Sequence, residues 1–184
     1  LMIGAYRALA ATLYFLGDFE TARQYAMRGV QIWRSGGVQS PVEEISTPEV
    51  ICLGYAAMSA WHFGEITFCR ATLAESISLA KELNDMHALA VALYLAGYFG
   101  HFERNPAEVE RCASDLIELS TRQNFPLWRA GGEVFRGWAR SASRGTAEGL
   151  SWIEDGIEHW RAAGSGGWTT YFLALKAEAL HLAD

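Results

Sequence analysis

Apolar residues recur at three- and four-residue spacings along almost the whole chain, the period of amphipathic helices. The clearest case follows Asn124. Pro126 suits a first helical turn. Leu127, Gly131, Val134 and Trp138 then share one face, and Trp128 and Phe135 lie on the next. A third stripe is polar: Arg129, Glu133, Arg136 and Arg140, at spacings of four, three and four. The pattern predicts a helix over about 125–143, buried on two sides, with one edge left to water or a partner.

The same reading divides the rest of the chain into alternating helices. The first covers about 1–16 and ends at Gly17; Asp18 is a good N-cap for the second, which carries Phe19, Ala22, Ala26, Val30 and Trp33 on one face. Residues 34–47, with two glycines and Pro41, have no period and read as a loop. Thr47 and Pro48 restart a helix that runs to about Phe63, with Thr47 as its cap. After Gly64 comes a helix with Ile66, Cys69, Leu73, Ile77 and Ala80 in line. A helix over 86–103 follows, apolar almost all round. Asn105 and Pro106 open a further one, with Val109, Cys112, Leu116 and Leu119 as its stripe. Gly145 and Thr146 turn the chain into a helix with Leu150, Ile153, Ile157 and Trp160, and Trp168 to Leu182 forms a ninth.

Helices apolar on more than one face thus alternate with helices carrying a single stripe, as a stack of hairpins requires. Turns fall at Gly17, Gly64, Asn105 and Gly145, separated by 47, 41 and 40 residues. A period near 40 is longer than a strict tetratricopeptide repeat and close to HEAT-type repeats. The expected fold is all-α: a right-handed α-solenoid of tetratricopeptide-like hairpins. It forms one domain over 1–184, with hairpins 1–33, 48–84, 86–123 and 125–163 and a terminal helix 168–183.

Composition supports a packed globular chain: 51% of the 184 residues are apolar, 20% are charged, and there are seven tryptophans. The net charge of −6, with no basic block, argues against nucleic acid or an anionic membrane as partner. No run of 18 uninterrupted apolar residues exists, and the N-terminal run lacks a cleavage signature. The three cysteines include no Cys-x-x-Cys pair. Cys52 and Cys69 would be offset by roughly 10 Å along an antiparallel pair, too far for a disulfide. Three buried thiols in a reducing cytoplasm are expected. The chain opens without an initiator methionine and stops in mid-pattern, so a piece of a larger protein is expected.

No grouping of chemical residues predicts catalysis. The five histidines are too scattered for a metal-ligand pair. Glu43-Glu44 and Glu154-Asp155 read as solvated charge, and the glycines from 164 to 167 follow no strand, so they read as a turn. No cofactor and no metal are expected. The candidate binding residues are the stripe Arg129, Glu133, Arg136 and Arg140, suited to a carboxylate-bearing partner, and a second inner-helix stripe of Tyr94, Tyr98 and His101. An Arg129–Glu133 pair is expected at i, i+4. Tyr94, Tyr98 and Trp128 could instead line a pocket for a small ligand. Apolar ends (Leu1, Ile3 and Leu9; Phe172, Leu175 and Leu182) predict self-association through a terminal repeat.

Several segments together resemble a known family. These are Phe125-Pro126-Leu127-Trp128; Arg136-Gly137-Trp138-Ala139; Gly149-Leu150 with Trp160 and Gly164; Tyr171-Phe172-Leu173-Ala174 with Ala177-Glu178-Ala179; and, upstream, Pro48, Leu53-Gly54-Tyr55-Ala56 and Trp61 with Gly64. Their order is similar to the tetratricopeptide-like C-terminal region of bacterial signalling proteins that join an adenylate cyclase-like domain to a STAND-type ATPase. The resemblance implies a non-catalytic, cytoplasmic interaction or regulatory segment, whose partner is another protein or the parent protein's own catalytic domains. No Gly-x-x-x-x-Gly-Lys-Ser/Thr loop is present, so no nucleotide hydrolysis carries over.

Overall fold

The computed structural model describes residues 2–36, 47–144 and 147–183. Among these the chain is all-α, with nine helices and no strand: α1 (Met2–Phe15), α2 (Phe19–Arg34), α3 (Pro48–Trp61), α4 (Ile66–Glu82), α5 (Met86–Phe102), α6 (Pro106–Gln123), α7 (Pro126–Arg144), α8 (Ala147–Ala162) and α9 (Thr169–Ala183). Consecutive helices form the hairpins of the α-solenoid class. Residues 37–46 of the expected loop, with Pro41 and Glu43-Glu44, the Gly145-Thr146 turn, Leu1 and Asp184 lie outside the described residues.

The local signals act through the chemistry that predicts them. Asp18 caps α2 by accepting from the backbone N–H of Thr21, and Asn105 caps α6 by accepting from that of Glu108. Prolines open α3 and α6 at their first turns. Thr47 departs from the expectation. It holds the N-cap position of α3, but its side chain makes no cap bond there. Its backbone N–H donates to Asp85 at 2.7 Å, and its hydroxyl donates to the same carboxylate oxygen. Asp85 also accepts from the N–H of Ala88, and so caps α5 while tying residue 47 to it. The turn after α5 also differs. Gly17 and Gly64 have positive φ, but the equivalent residue before Asn105 is Arg104, with φ 54°. A non-glycine residue there costs about 1 kcal/mol, which its ion pair with Glu178 helps to offset.

The chain divides into two compact units, 1–95 and 96–184, and the division falls inside α5. In the first unit α2 packs on α1 and α3, α3 packs on α4, and α1 meets α3. Its core is rich in small residues: Ala10, Ala26 and Ala56 are fully buried together, and Tyr25, Met27 and Tyr55 close over them. Val30, Cys52 and Leu53 form a second cluster with Leu79 against it. In the second unit α7 is central, packing on α6, α8 and α9. Its Val134, Phe135, Trp138 and Ala139 are buried, so two apolar faces are used, as the sequence predicts. The α7–α8 contact is made backbone to backbone. A β-carbon on Gly137 would meet the Gly149 carbonyl at 2.6 Å, and one on Gly156 would meet the Ala130 carbonyl at 2.9 Å.

The terminal faces differ in part from the expectation. Leu9 and Leu182 are exposed, but Ile3, Phe172 and Leu175 are buried. Helix α9 carries two apolar stripes. Phe172, Leu175 and Ala179 are turned inward, and Leu173 and Leu180 outward. Cys52, Cys69 and Cys112 are free and buried. Burial is the main reason the Cys112 thiol is pushed up to about 12, with Glu108 beside it adding to the effect.

Candidate functional site

The polar edge of α7 is held against α8. Arg129 Nε lies 3.4 Å from Glu133 Oε1, the expected i, i+4 pair. The other oxygen of Glu133 accepts from Nδ1 of His159, on α8, at 2.8 Å. Two turns on, Arg140 Nε lies 3.5 Å from Glu110 of α6, an ion-pair distance but not a hydrogen bond. Arg136 differs from both. Its guanidinium sits over the Trp152 ring of α8, 4.1 Å from the centroid, and Arg140 is 5.6 Å from the same ring. Arg136 has no ion pair among the described residues, and its Nε is buried without a hydrogen-bond partner. Glu133, Arg136, Trp152, Asp155 and His159 surround a small cavity of about 160 Å³. The stripe is therefore real, but two of its three arginines are already neutralised by carboxylates of this chain. Trp152, Asp155 and His159 were not singled out from the sequence as part of it. Antiparallel pairing of α7 with α8, which sets residue 136 level with residue 152, is the signal that would have found them.

The second stripe is placed differently. Tyr94, Tyr98 and His101 are all buried, Tyr94 at 1% exposure, so none of them lines an open groove. Tyr98 packs edge-on against Trp168 and Tyr171. Trp128, expected beside the two tyrosines, makes an edge contact with Trp160.

His101 belongs instead to a half-buried polar network with α7 and α9. Its Nε2 lies 3.0 Å from Glu178 Oε2, and the Tyr171 hydroxyl lies 2.8 Å from its Nδ1. A carboxylate only accepts, so Nε2 carries the proton and Nδ1 accepts from Tyr171. Trp138 Nε1 donates to the same Glu178 oxygen at 3.2 Å, and Arg104 pairs with the other one. Burial is the main cause that lowers the His101 pKa to about 4, and the Arg104 charge acts in the same direction. The nearby carboxylate would be expected to raise it. Arg104 already neutralises Glu178, however, and a protonated His101 would set two cations on one carboxylate. The network is fully satisfied with neutral imidazole.

No three His, Cys, Asp or Glu side chains are grouped to hold a metal ion among the described residues, and no described helix is long and apolar enough to cross a membrane. No protein-family model matches the chain, and no curated protein matches it.

Proposed function

We propose that this chain is a non-catalytic interaction or regulatory module that receives a carboxylate-bearing segment at the α7–α8 edge. The partner is a separate protein or another domain of the same polypeptide, as the resemblance to the repeat tails of cyclase-like and STAND-type signalling proteins implies; the setting is then cytoplasmic. The supporting observation is Arg136: a guanidinium held over the Trp152 ring, without a carboxylate of its own among the described residues. A guanidinium fixed in this way has lost its rotamer freedom before binding and offers a planar fork to a carboxylate. Arg129 and Arg140 flank it but are already engaged.

The test is fluorescence anisotropy with a labelled Asp/Glu-rich peptide, comparing wild type with Arg136→Ala and Arg136→Lys. Loss of a charge-assisted pair should weaken binding about tenfold or more. Lysine should recover only part of it, and wild-type binding should fall as salt rises. Equal affinity in all three proteins without salt dependence would move the contact off this edge.

A second contact is proposed from α1 and the turn after it, where Met2, Leu9, Phe15 and Leu16 are exposed. Self-association through this face predicts a sedimentation coefficient that rises with protein concentration and returns to the monomer value in Leu9→Glu/Leu16→Glu. A wild type that stays monomeric across the range would refute it.

A further inference from the structure

The charged lining of the cavity between α7 and α8 is Arg136, Glu133 and Asp155. Counting the neighbouring side chains as well, three arginines (Arg129, Arg136 and Arg140) stand near three carboxylates (Glu110, Glu133 and Asp155). Four of these six are spent on one another, as Arg129 with Glu133 and Arg140 with Glu110. The two left over, Arg136 and Asp155, line the same cavity, yet they do not pair with each other, and neither has an ion pair among the described residues. Asp155 stands one helical turn after Trp152 on α8. The stack on Trp152 holds the Arg136 guanidinium at the ring, 4.1 Å from its centroid.

We infer that this cavity takes a small zwitterion of the α-amino-acid class, with its carboxylate on Arg136 and its ammonium on Asp155. The inference rests on the reading of Arg136 as a carboxylate receiver and adds the second half of the ligand. A simple anion entering here meets the Asp155 carboxylate, and a simple cation meets the Arg136 guanidinium. A molecule carrying both charges a few bonds apart satisfies both walls, and each contact is a charge-assisted hydrogen bond. Size points the same way. At about 160 Å³ the cavity is well below the 300–1,000 Å³ or so typical of drug-sized ligands, and it suits a molecule of a few heavy atoms. Glu133 adds no competing charge, because Arg129 and His159 already hold its two oxygens.

The experiment is isothermal titration of the whole chain with L-alanine, and separately with acetate and methylammonium as its two charged halves. L-Alanine should bind at least tenfold more tightly than either half. Asp155→Asn should remove that advantage while leaving acetate and the acidic peptide bound as well as before or better. Arg136→Gln should weaken L-alanine and the acidic peptide together. Circular dichroism and the thermal midpoint, unchanged in both variants, show that the fold is intact. Binding of L-alanine no tighter than acetate, or indifference to Asp155→Asn, would overturn the inference and leave the peptide reading standing. An Arg136→Gln protein that binds the acidic peptide like wild type would overturn the peptide reading, and the zwitterion reading with it.

Discussion

Replacing Trp138 by alanine is expected to cost the second unit about 3–5 kcal/mol, the range for removing a large buried aromatic side chain. The indole is 2% exposed and lies on the central helix α7. Its ring stands edge-on to His101 at 4.7 Å between centroids, and its N–H donates to Glu178. Alanine would therefore open a cavity and also remove one of the donors that hold the Glu178 carboxylate. Trp138→Phe separates the two effects. It keeps most of the volume and loses only the N–H, so about 1–2 kcal/mol is expected. Urea unfolding followed by circular dichroism measures both. A loss below about 1 kcal/mol for the alanine variant would show that the side chain is not a packing anchor.

Acidification below about pH 6.5 is expected to destabilise the chain through His101. His101 is held neutral, with a pKa lowered to about 4 from the ordinary 6.5. The unfolded chain takes up the proton near pH 6.5, but the folded chain resists until about pH 4. The proton therefore favours unfolding throughout that window. The stabilising contribution of neutral His101 is complete above about pH 6.5, shrinks as pH falls, and is gone near pH 4. Over the full window it amounts to about 3 kcal/mol at 1.36 kcal/mol per pH unit. Burial also lowers the pKa values of His62 and His87, which adds loss of the same sign. The check is the unfolding free energy at pH 7.5 and at pH 4.5, for wild type and His101→Gln. The variant is expected to lose about 2 kcal/mol less over that interval. An equal loss in both would assign the acid sensitivity to other groups.

Much of the architecture was legible because it is written in local chemistry. Asp18, Asn105, Pro48 and Pro106 mark helix starts through bonds or backbone angles set within a turn of themselves. The two apolar faces of α7 follow from period alone. What was not legible involves choices between distant helices. Glu178 joins His101 across 77 residues, and neither spacing nor residue type announces that contact. Phe172 and Leu175 share α9 with the exposed Leu173 and Leu180. Periodicity found apolar positions there without telling which stripe would meet α7 and α8. Tyr94, Tyr98 and His101 stand in line on α5, as a groove lining would, but Tyr98 and His101 are spent on partners from α7 and α9. The polar stripe of α7 was visible, though not its neutralisation, because Glu110 and His159 come from the helices on either side.

The glycine contacts between α7 and α8 bear on how this hairpin tolerates change. At Gly137 and Gly156 the atoms in the way include backbone as well as the side chains of Ile153 and Val134, and backbone is not moved aside by a rotamer adjustment. Even alanine at these positions would push the helices apart, so they have almost no room for drift. The opposite is true of the edge that carries Arg136, Trp152, Asp155 and His159. Those side chains leave the helix pair on its outer side and add nothing to its closest approach. One hairpin thus keeps its framework and its polar edge on separate sets of positions. Side chains at that edge are free to diversify, residue by residue, without any demand on the helix pair beneath them.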